Sequence, residues 1–460
     1  MVSPRCPLVK QGGVTWRTSF LGPLLGVASS RVLKAEICLA WLILSCGQVM
    51  FWWRRDNIFG YLQVGLFFAS IVIPVLGTSI LDDLDGQFVN QYANILVIGA
   101  FPYVIGLCFG ASLGRGLRLP HVNFSTLMDP VPQLLVKRVR QLAAAGLVIL
   151  ALSFLLLGYI PYLASDRLSA KYGVGPYQAG FARGSLVLHV GLIVAATAFP
   201  VIIGLAFRHR RRLDFALAVA LLLGLGLTLS RGRTFFGPLV FLIAFAIERR
   251  WRPWTIVALA CVFFLAGSIF NEIILGGSSS GSTFANRAAA SAPDVIDHVS
   301  FLRGYASEGS EQIGLKPIIA SMNLDKGEYN PATYALRIRT GLTDVGDLAS
   351  GGLRLPAPIW GYVSFGYPGL ITWSLLSGLA IGWGTSVLRR LLSRVEGKRG
   401  QALNLVLAWL FFEGTFAVIS RFFFFERVGL VSLGMALFLA QSKFRTERRE
   451  GRVVPSQFKQ

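Results

Sequence analysis

Charge is scarce in this chain: Asp, Glu, Lys and Arg make up 15% of its 460 residues, against about 25% in an ordinary soluble domain. The deficit accompanies 54% hydrophobic residues and a mean hydropathy of +0.60, with the apolar residues gathered in long blocks. Soluble globular, disordered and coiled-coil classes are thereby excluded. Cysteine and histidine are also few, at five and four. Cys6 lies in the N-terminal tail, and Cys38, Cys46, Cys108 and Cys261 sit in apolar runs, where a thiol behaves as a small hydrophobe. No Cys/His pair has metal-ligand spacing, so neither a structural metal nor a disulfide framework is expected. No Walker loop is present and no GxGxxG follows a strand, which leaves ATP-driven transport and a soluble nucleotide-sugar domain without support. A hydropathy repeat dividing the chain into two halves, expected of many transporters, is missing as well.

What the chain does have is apolar runs long enough to cross a hydrocarbon core of about 30 Å, which takes roughly 20 helical residues. They cover 36–53, 58–81, 91–114, 141–163, 186–207, 213–229, 234–248, 253–275, 359–387, 402–420 and 423–441. The expected fold is therefore all-α, a polytopic membrane bundle of about eleven spans (10–12) with one large extracytoplasmic loop. Residues 1–35 form an N-terminal tail, 36–275 carry spans one to eight, and 276–358 are the loop. Residues 359–441 carry spans nine to eleven, and 442–460 are a basic cytoplasmic tail.

Loop charge sets the orientation. With 276–358 outside, the inner segments 53–57, 115–140, 208–212, 249–252, 388–401 and the C-terminal tail hold 2, 5, 4, 3, 5 and 6 Lys+Arg. The much longer outer segments hold 14 in all, so basic density is higher inside, as membrane insertion favours. The N-terminal tail carries five Lys+Arg yet falls outside. A further span beginning near residues 20–30, a translation start further in, or a cleaved signal peptide would each reconcile it. The net charge of +21 is dispersed over short loops, which points to topology and anionic lipid rather than to nucleic acid.

Several residues could carry chemistry. The loop 276–358 holds seven Lys+Arg against eight Asp+Glu and opens on a GGSSSGS stretch. Tyr305, Tyr329, Tyr334, Ile318 and Ile319 offer it apolar anchors, and Pro293, Pro317 and Pro331 punctuate short helices. It can lie over the bundle as a lid. Leu229-Ser-Arg-Gly-Arg233 places Arg231 and Arg233 between two apolar helices; each can bind a phosphate oxygen pair with its planar fork or simply snorkel to the surface. Arg337, Arg339 and Arg354 crowd the end of the loop, to hold a diphosphate or to pair with Asp344 and Asp347. The glycines around Pro358 and Phe365-Gly366 permit close helix approach or a broken helix. Glu413, Arg421, Glu426 and Arg427 cluster near the outer boundary, as functional charges or as ion pairs.

His298, the loop's lone histidine, is a candidate general base or a solvated side chain. His121 and His209 fall on the inner side, and His189 is expected to be buried in span five. Asp82, Asp83 and Asp85 could bind a divalent metal, act as a base or merely end a helix.

Taken together, Leu229-Ser-Arg-Gly-Arg233, the late external loop, the Pro356/Pro358, Gly361, Phe365-Gly366, Gly369 pattern and Ser420-Arg421-Phe resemble the O-antigen (Wzy-type) repeat-unit polymerases and the related O-antigen ligases. The motifs cover roughly 210–430, and the span pattern the whole chain. The resemblance implies a glycosyltransferase of the bacterial cytoplasmic membrane, without cofactor or metal. It would move a polyprenyl-diphosphate-linked glycan onto another lipid-linked repeat unit. Arg231, Arg337, Arg339 and Arg421 would contact the diphosphate, with Arg233 and Arg354 in support, and His298, Glu308 or Glu311 would be the base. Membrane lipid and a chain-length regulator protein are the further partners. Two alternatives stay open: a polyprenyl-phosphate-sugar glycosyltransferase using Asp83 or Asp85, and a transporter or flippase of lipid-linked sugars.

Overall fold

A computed structural model describes residues 29–50, 58–77, 84–116, 133–173, 175–248, 251–275, 294–322, 328–340 and 355–393. It is all-helical, 88% helix with no strand among the described residues. Helix α1 covers Ser29–Met50. Helix α2 (Ile58–Phe67) runs through a π-helical turn (Phe68–Val72) into α3 (Ile73–Gly77). Then come α4 (Gly86–Gly116), α5 (Gln133–Leu157), the short α6 (Arg167–Tyr172), α7 (Gln178–His209), α8 (Arg212–Leu227), α9 (Arg231–Glu248) and α10 (Pro253–Leu275). The polar segment contributes α11 (Asp294–Ser307), α12 (Lys316–Met322) and α13 (Pro331–Thr340), and α14 (Ala357–Ser393) follows.

The described parts of the apolar runs from 36–53 to 359–387 lie largely on these helices, with 58–81 divided among α2, the π-helical turn and α3; the runs 402–420 and 423–441 fall outside the described residues. Three stretches among the described residues, Gly86–Gly114, Val136–Leu157 and Ser169–Phe207, are long and apolar enough to cross a membrane.

The helices share two cores. One joins α5, α7, α8, α9 and α10 around Leu150, Phe199, Ile202, Leu205 and Leu225. The other joins α1, α3, α4 and the start of α14 to α11 and α13 through Ile37, Tyr92, Ile95, Phe301, Tyr334 and Trp360. The polar segment is thus a folded cap sharing an apolar core with one end of the bundle.

Register between helices follows from their glycines. Gly106 and Gly110 of α4 lie backbone to backbone on Leu375 and Leu379 of α14, and Gly378 and Gly382 return the contact on Tyr103 and Leu107. Position numbers rise together, so the two helices run parallel. This is small-xxx-small packing, in which missing side chains let backbones touch. By the same reasoning α5 and α7 are antiparallel, with Gly191 beside Leu150 and Gly184 beside Leu157. Arg210, in the left-handed region at φ 50, closes α7 and turns the chain directly into α8.

Near that turn Arg140 of α5 grips Asp214 of α8 with both arms of its fork, Nε to Oδ1 at 2.6 Å and Nη2 to Oδ2 at 2.9 Å. The basic residues Lys137, Arg138, Arg211, Arg212 and Arg252 gather at this end of their helices, opposite the cap.

Candidate functional site

Two places at the cap end hold the charged residues of interest. The first is the cap with the turn it sits on. At Phe365 (φ −145, ψ 22) and Gly366 (φ 65, ψ −150) α14 ceases to be helical. Gly361 meets Gly369 and Trp373, while Gly99 of α4 touches both Pro358 and Ser374. The chain therefore doubles back, and residues 357–364 form a short arm lying antiparallel to the start of the long arm. Gly366 permits this because the positive φ would strain a residue bearing a Cβ. The glycines permit either close helix approach or a broken helix, and here both occur: the helix breaks as a reversal, and Gly361 and Gly369 bring its two arms into contact.

Breaking the helix orphans carbonyls at the end of the short arm. The cap satisfies them: Ile313 N–H donates to Val363 O at 3.1 Å and Gly314 N–H to Ser364 O at 3.0 Å. The Tyr305 hydroxyl stands 3.0 Å from the carbonyls of Ser310 and Glu311 and 3.4 Å from that of Val363, and its one proton is shared among them. Burial, with smaller contributions from Tyr362 and Glu311, pushes the Tyr305 phenol up to about 12. Burial also raises Tyr334 well above the ordinary phenol range.

A phenol whose folded value lies above its unfolded one, about 10, stabilises the fold fully below pH 10 and loses that contribution as pH rises toward 12. Tyr305→Phe should therefore lower thermal stability by about 1–2 kcal/mol at neutral pH, the usual effect of leaving acceptors unmet. It should also weaken the alkaline unfolding seen by tyrosine absorbance between pH about 10 and about 12.

The cap is laced with ion pairs. Arg337 Nη1 lies 2.7 Å from Glu328 Oε1, its Nη2 lies 3.6 Å from Glu308 Oε2, and its guanidinium sits 5.5 Å over the Tyr334 ring. Arg339 Nη2 lies 2.8 Å from Asp297 Oδ1. Both arginines end α13, where cations also meet the negative end of the helix dipole. Asp297 lies on α11, Glu308 just after it and Glu328 just before α13; the expected partners Asp344 and Asp347 lie outside the described residues, as do Arg354, Glu413, Arg421, Glu426 and Arg427.

Glu308 is exposed beside Arg337, and Glu311 is exposed with its carbonyl on Tyr305. His298 is 4% exposed, and its Nδ1 lies 3.2 Å from the Tyr92 hydroxyl of α4. It is a packed histidine under the cap, not a solvated one. Asp82 and Asp83 fall outside the described residues. Asp85 precedes the first residue of α4, its carboxylate accepting from Gln87 N–H at 3.0 Å as an N-cap does. Among the described residues no three His, Cys, Asp or Glu gather as metal ligands.

The second place is the α8–α9 turn. Leu229 is buried yet left-handed at φ 57, a strained conformation for a residue with a branched side chain. The surrounding turn holds it there. Thr228 Oγ1 donates to Leu225 O at 2.6 Å and accepts from Ser230 N–H at 3.3 Å, and Thr234 Oγ1 donates to Ser230 O at 2.9 Å. Arg231 then opens α9, and Arg233 follows on its first turn, half-buried. The side chain of Arg231 is outside the described residues.

Arg231 and Arg233 also sit deep. Arg140 pairs with Asp214 and Gly224 lies beside Leu147 and Leu150, so α8 runs parallel to α5 and ends about 8 Å short of it at 1.5 Å per residue. Above, the connection from α5 to α7 reaches across, its 3-10 turn Pro161–Leu163 against α8 and α6 against α10. The structure does not bring the two arginine groups together: α9 packs on α7, α8 and α10, whereas α11 packs on α13, α4 and the π-helical turn.

Two features carry no signal that the sequence pattern makes plain. The Arg140–Asp214 pair is one, although Asp214 stands out as the one acid in a run of cations. The other is His189, which is exposed rather than buried as expected; its face of α7 is left uncovered in the half nearer the cap. The chain matches no family model, no curated protein and no solved structure.

Proposed function

We propose that the protein is an integral-membrane glycosyltransferase of about eleven spans in the bacterial cytoplasmic membrane. It polymerises polyprenyl-diphosphate-linked oligosaccharide repeat units at the outer face, with residues 276–358 as its extracytoplasmic loop. The reading is carried by the α8–α9 turn. Arg231 and Arg233 are the first and third residues of α9, and an arginine pair on a helix's first turn joins cations to free N–H groups in a way suited to a phosphate. The turn stops about 8 Å short of the end of α5, which in this reading leaves room for a lipid head group to reach it.

In this reading Arg231 and Arg233 take up the charge that develops on the departing lipid diphosphate, as fixed donors and without metal. Both substrates are tethered in one bilayer, which confines their encounter. Arg337 and Arg339, each already on a carboxylate, hold the cap closed; a second diphosphate could displace Glu308 and Glu328 from Arg337. The parallel run of α4 and α14 agrees with the loop-charge orientation, which sends both from outside to inside.

Deletion of the gene, followed by gel analysis of surface glycan, tests the assignment. Lipid-linked single units on the outer leaflet in place of long chains are expected. Accumulation on the inner leaflet would assign the protein to flipping instead, and unchanged chains would remove the glycan from the reading. Activity that is lost on replacing Asp83 and Asp85, but kept on replacing Arg231 and Arg233, would favour the monophosphate-sugar enzyme.

A further inference from the structure

On α7, exposure changes with depth along a single face. Leu186 is 75% exposed, while Ile193, two turns further from the cap, is 7% exposed. Val190 is 39% exposed, and Thr197, again two turns on, is 6% exposed. Residues seven apart share a helix face, so the face is open near the cap end and closed below. Elsewhere among the described residues the open stripes are mainly apolar and carry no charge or imidazole at this depth, as on α4, where Phe101, Ile105, Phe109 and Leu113 are exposed and only Asn90 and Asn94, towards the cap, and Ser112 interrupt the pattern. The open part of α7 is different: it carries Arg183 and His189, both exposed. A cation and an imidazole facing hydrocarbon are costly, whereas a recess filled with water accepts them.

The geometry of His189 is specific. Its Nδ1 lies 2.6 Å from the carbonyl oxygen of Ser185, one turn back. A carbonyl can only accept, so Nδ1 carries the proton and Nε2 presents its lone pair away from the helix. The depth matches too. Phe199 packs on Gly237 and Phe207 stacks on Phe241, a register that places Arg233 level with about residues 195–199 of α7. The pairs of α5 with α7 and of α5 with α8 put the end of α8 level with about residue 189, so the two registers together set His189 between the level of the arginine turn and about 15 Å above it. By contrast, His298 is enclosed under the cap.

We infer that the outer half of α7 walls a water-filled recess leading to the α8–α9 turn, and that His189 is the proton acceptor in it. This rests on the glycosyl-transfer reading above. The acceptor sugar's hydroxyl gives its proton to Nε2 as its oxygen bonds to the anomeric carbon. The bond from that carbon to the diphosphate oxygen breaks, and its electron pair leaves with the lipid diphosphate, whose charge Arg231 and Arg233 meet. The imidazolium then returns the proton to water in the recess.

The test has two parts. In a chain with its five cysteines replaced by alanine, Leu186→Cys and Val190→Cys should react with a membrane-impermeant maleimide, and Thr197→Cys should not. Failure of Leu186→Cys to react overturns the recess. In the host, His189→Gln and His189→Ala should cut polymer formation by about 100-fold or more, the usual range for a lost proton acceptor. Protein level and the Leu186→Cys labelling should stay unchanged, and added imidazole should partly restore His189→Ala. Long chains made by His189→Gln overturn the proton-acceptor role alone, provided gene deletion abolishes them. Chains unaffected by deletion overturn the glycosyl-transfer reading, and the role with it, while leaving the labelling result to stand.

Discussion

Arg140→Met is expected to destabilise the folded protein by about 3–5 kcal/mol, the usual consequence of removing one member of a buried ion pair. The asymmetry of the pair decides the ranking. Asp214 is wholly buried, while the Arg140 side chain keeps 22% of its surface accessible. Without Arg140 the carboxylate is left buried and has lost both arms of the fork. Without Asp214 the guanidinium can still reach the surface along its own stem. Asp214→Asn should therefore do markedly less harm, about 1–2 kcal/mol. Arg140→Lys should fall between, since an ammonium cannot reproduce two parallel bonds. The double variant Arg140→Met, Asp214→Leu should recover much of the loss, because two well-packed apolar groups leave no uncompensated charge. Thermal unfolding in detergent, read as a double-mutant cycle, checks all four. A single Arg140→Met as stable as the parent would remove the pair from the account of how α8 is held on α5.

Gly110→Leu should prevent the bundle from assembling in its present form. A Cβ at Gly110 would fall inside the backbone carbonyl of Leu379, and one at Gly382 inside that of Leu107. Backbone cannot yield as a flexible side-chain end can, so α4 and α14 must part along their whole contact. Overpacking of a core already costs about 1–3 kcal/mol; here it acts on the helix pair that carries Tyr92 at one end and the reversed arm of α14 beside it. The expected result is loss of monodisperse protein in detergent extracts, for Gly110→Leu and Gly382→Leu alike. Gly226 of α8, where an added Cβ would meet nothing within 4 Å, supplies the control: Gly226→Ala should be neutral or gain up to about 1 kcal/mol from helix propensity. Equal tolerance at Gly110 and Gly226 would refute the close approach.

Much of the site was legible once its residues were weighed by position. The Arg-Gly-Arg turn stood out because cations between two apolar runs demand a reason. His298 could have been read as packed: Val295, Val299 and Leu302 surround it at helical spacing, and all are buried, so the imidazole shares an inward face. The reversal of α14 was half visible in Phe365-Gly366-Tyr-Pro, where a glycine able to take positive φ precedes a proline suited to a helix start. Its direction was not visible, since a kink and a full reversal need the same residues.

The cap's ion pairs lay beyond reach for another reason. Arg337 and Arg339 have several carboxylates within a few dozen residues, and the choice of Glu328, Glu308 and Asp297 follows from how α11 and α13 cross. The same holds for Arg140 and Asp214, 74 positions apart.

Hydropathy and charge act locally, residue by residue, through the free energy of leaving water. That is why the chain alone pointed to an all-helical, apolar protein, of which the structure holds three helices long and apolar enough to cross a membrane among the described residues. Depth and facing are relations between helices. Whether His189 looks into water, whether a turn stops short of its neighbours and which acid meets which base are decided by register and contact, and these exist only once the helices have packed.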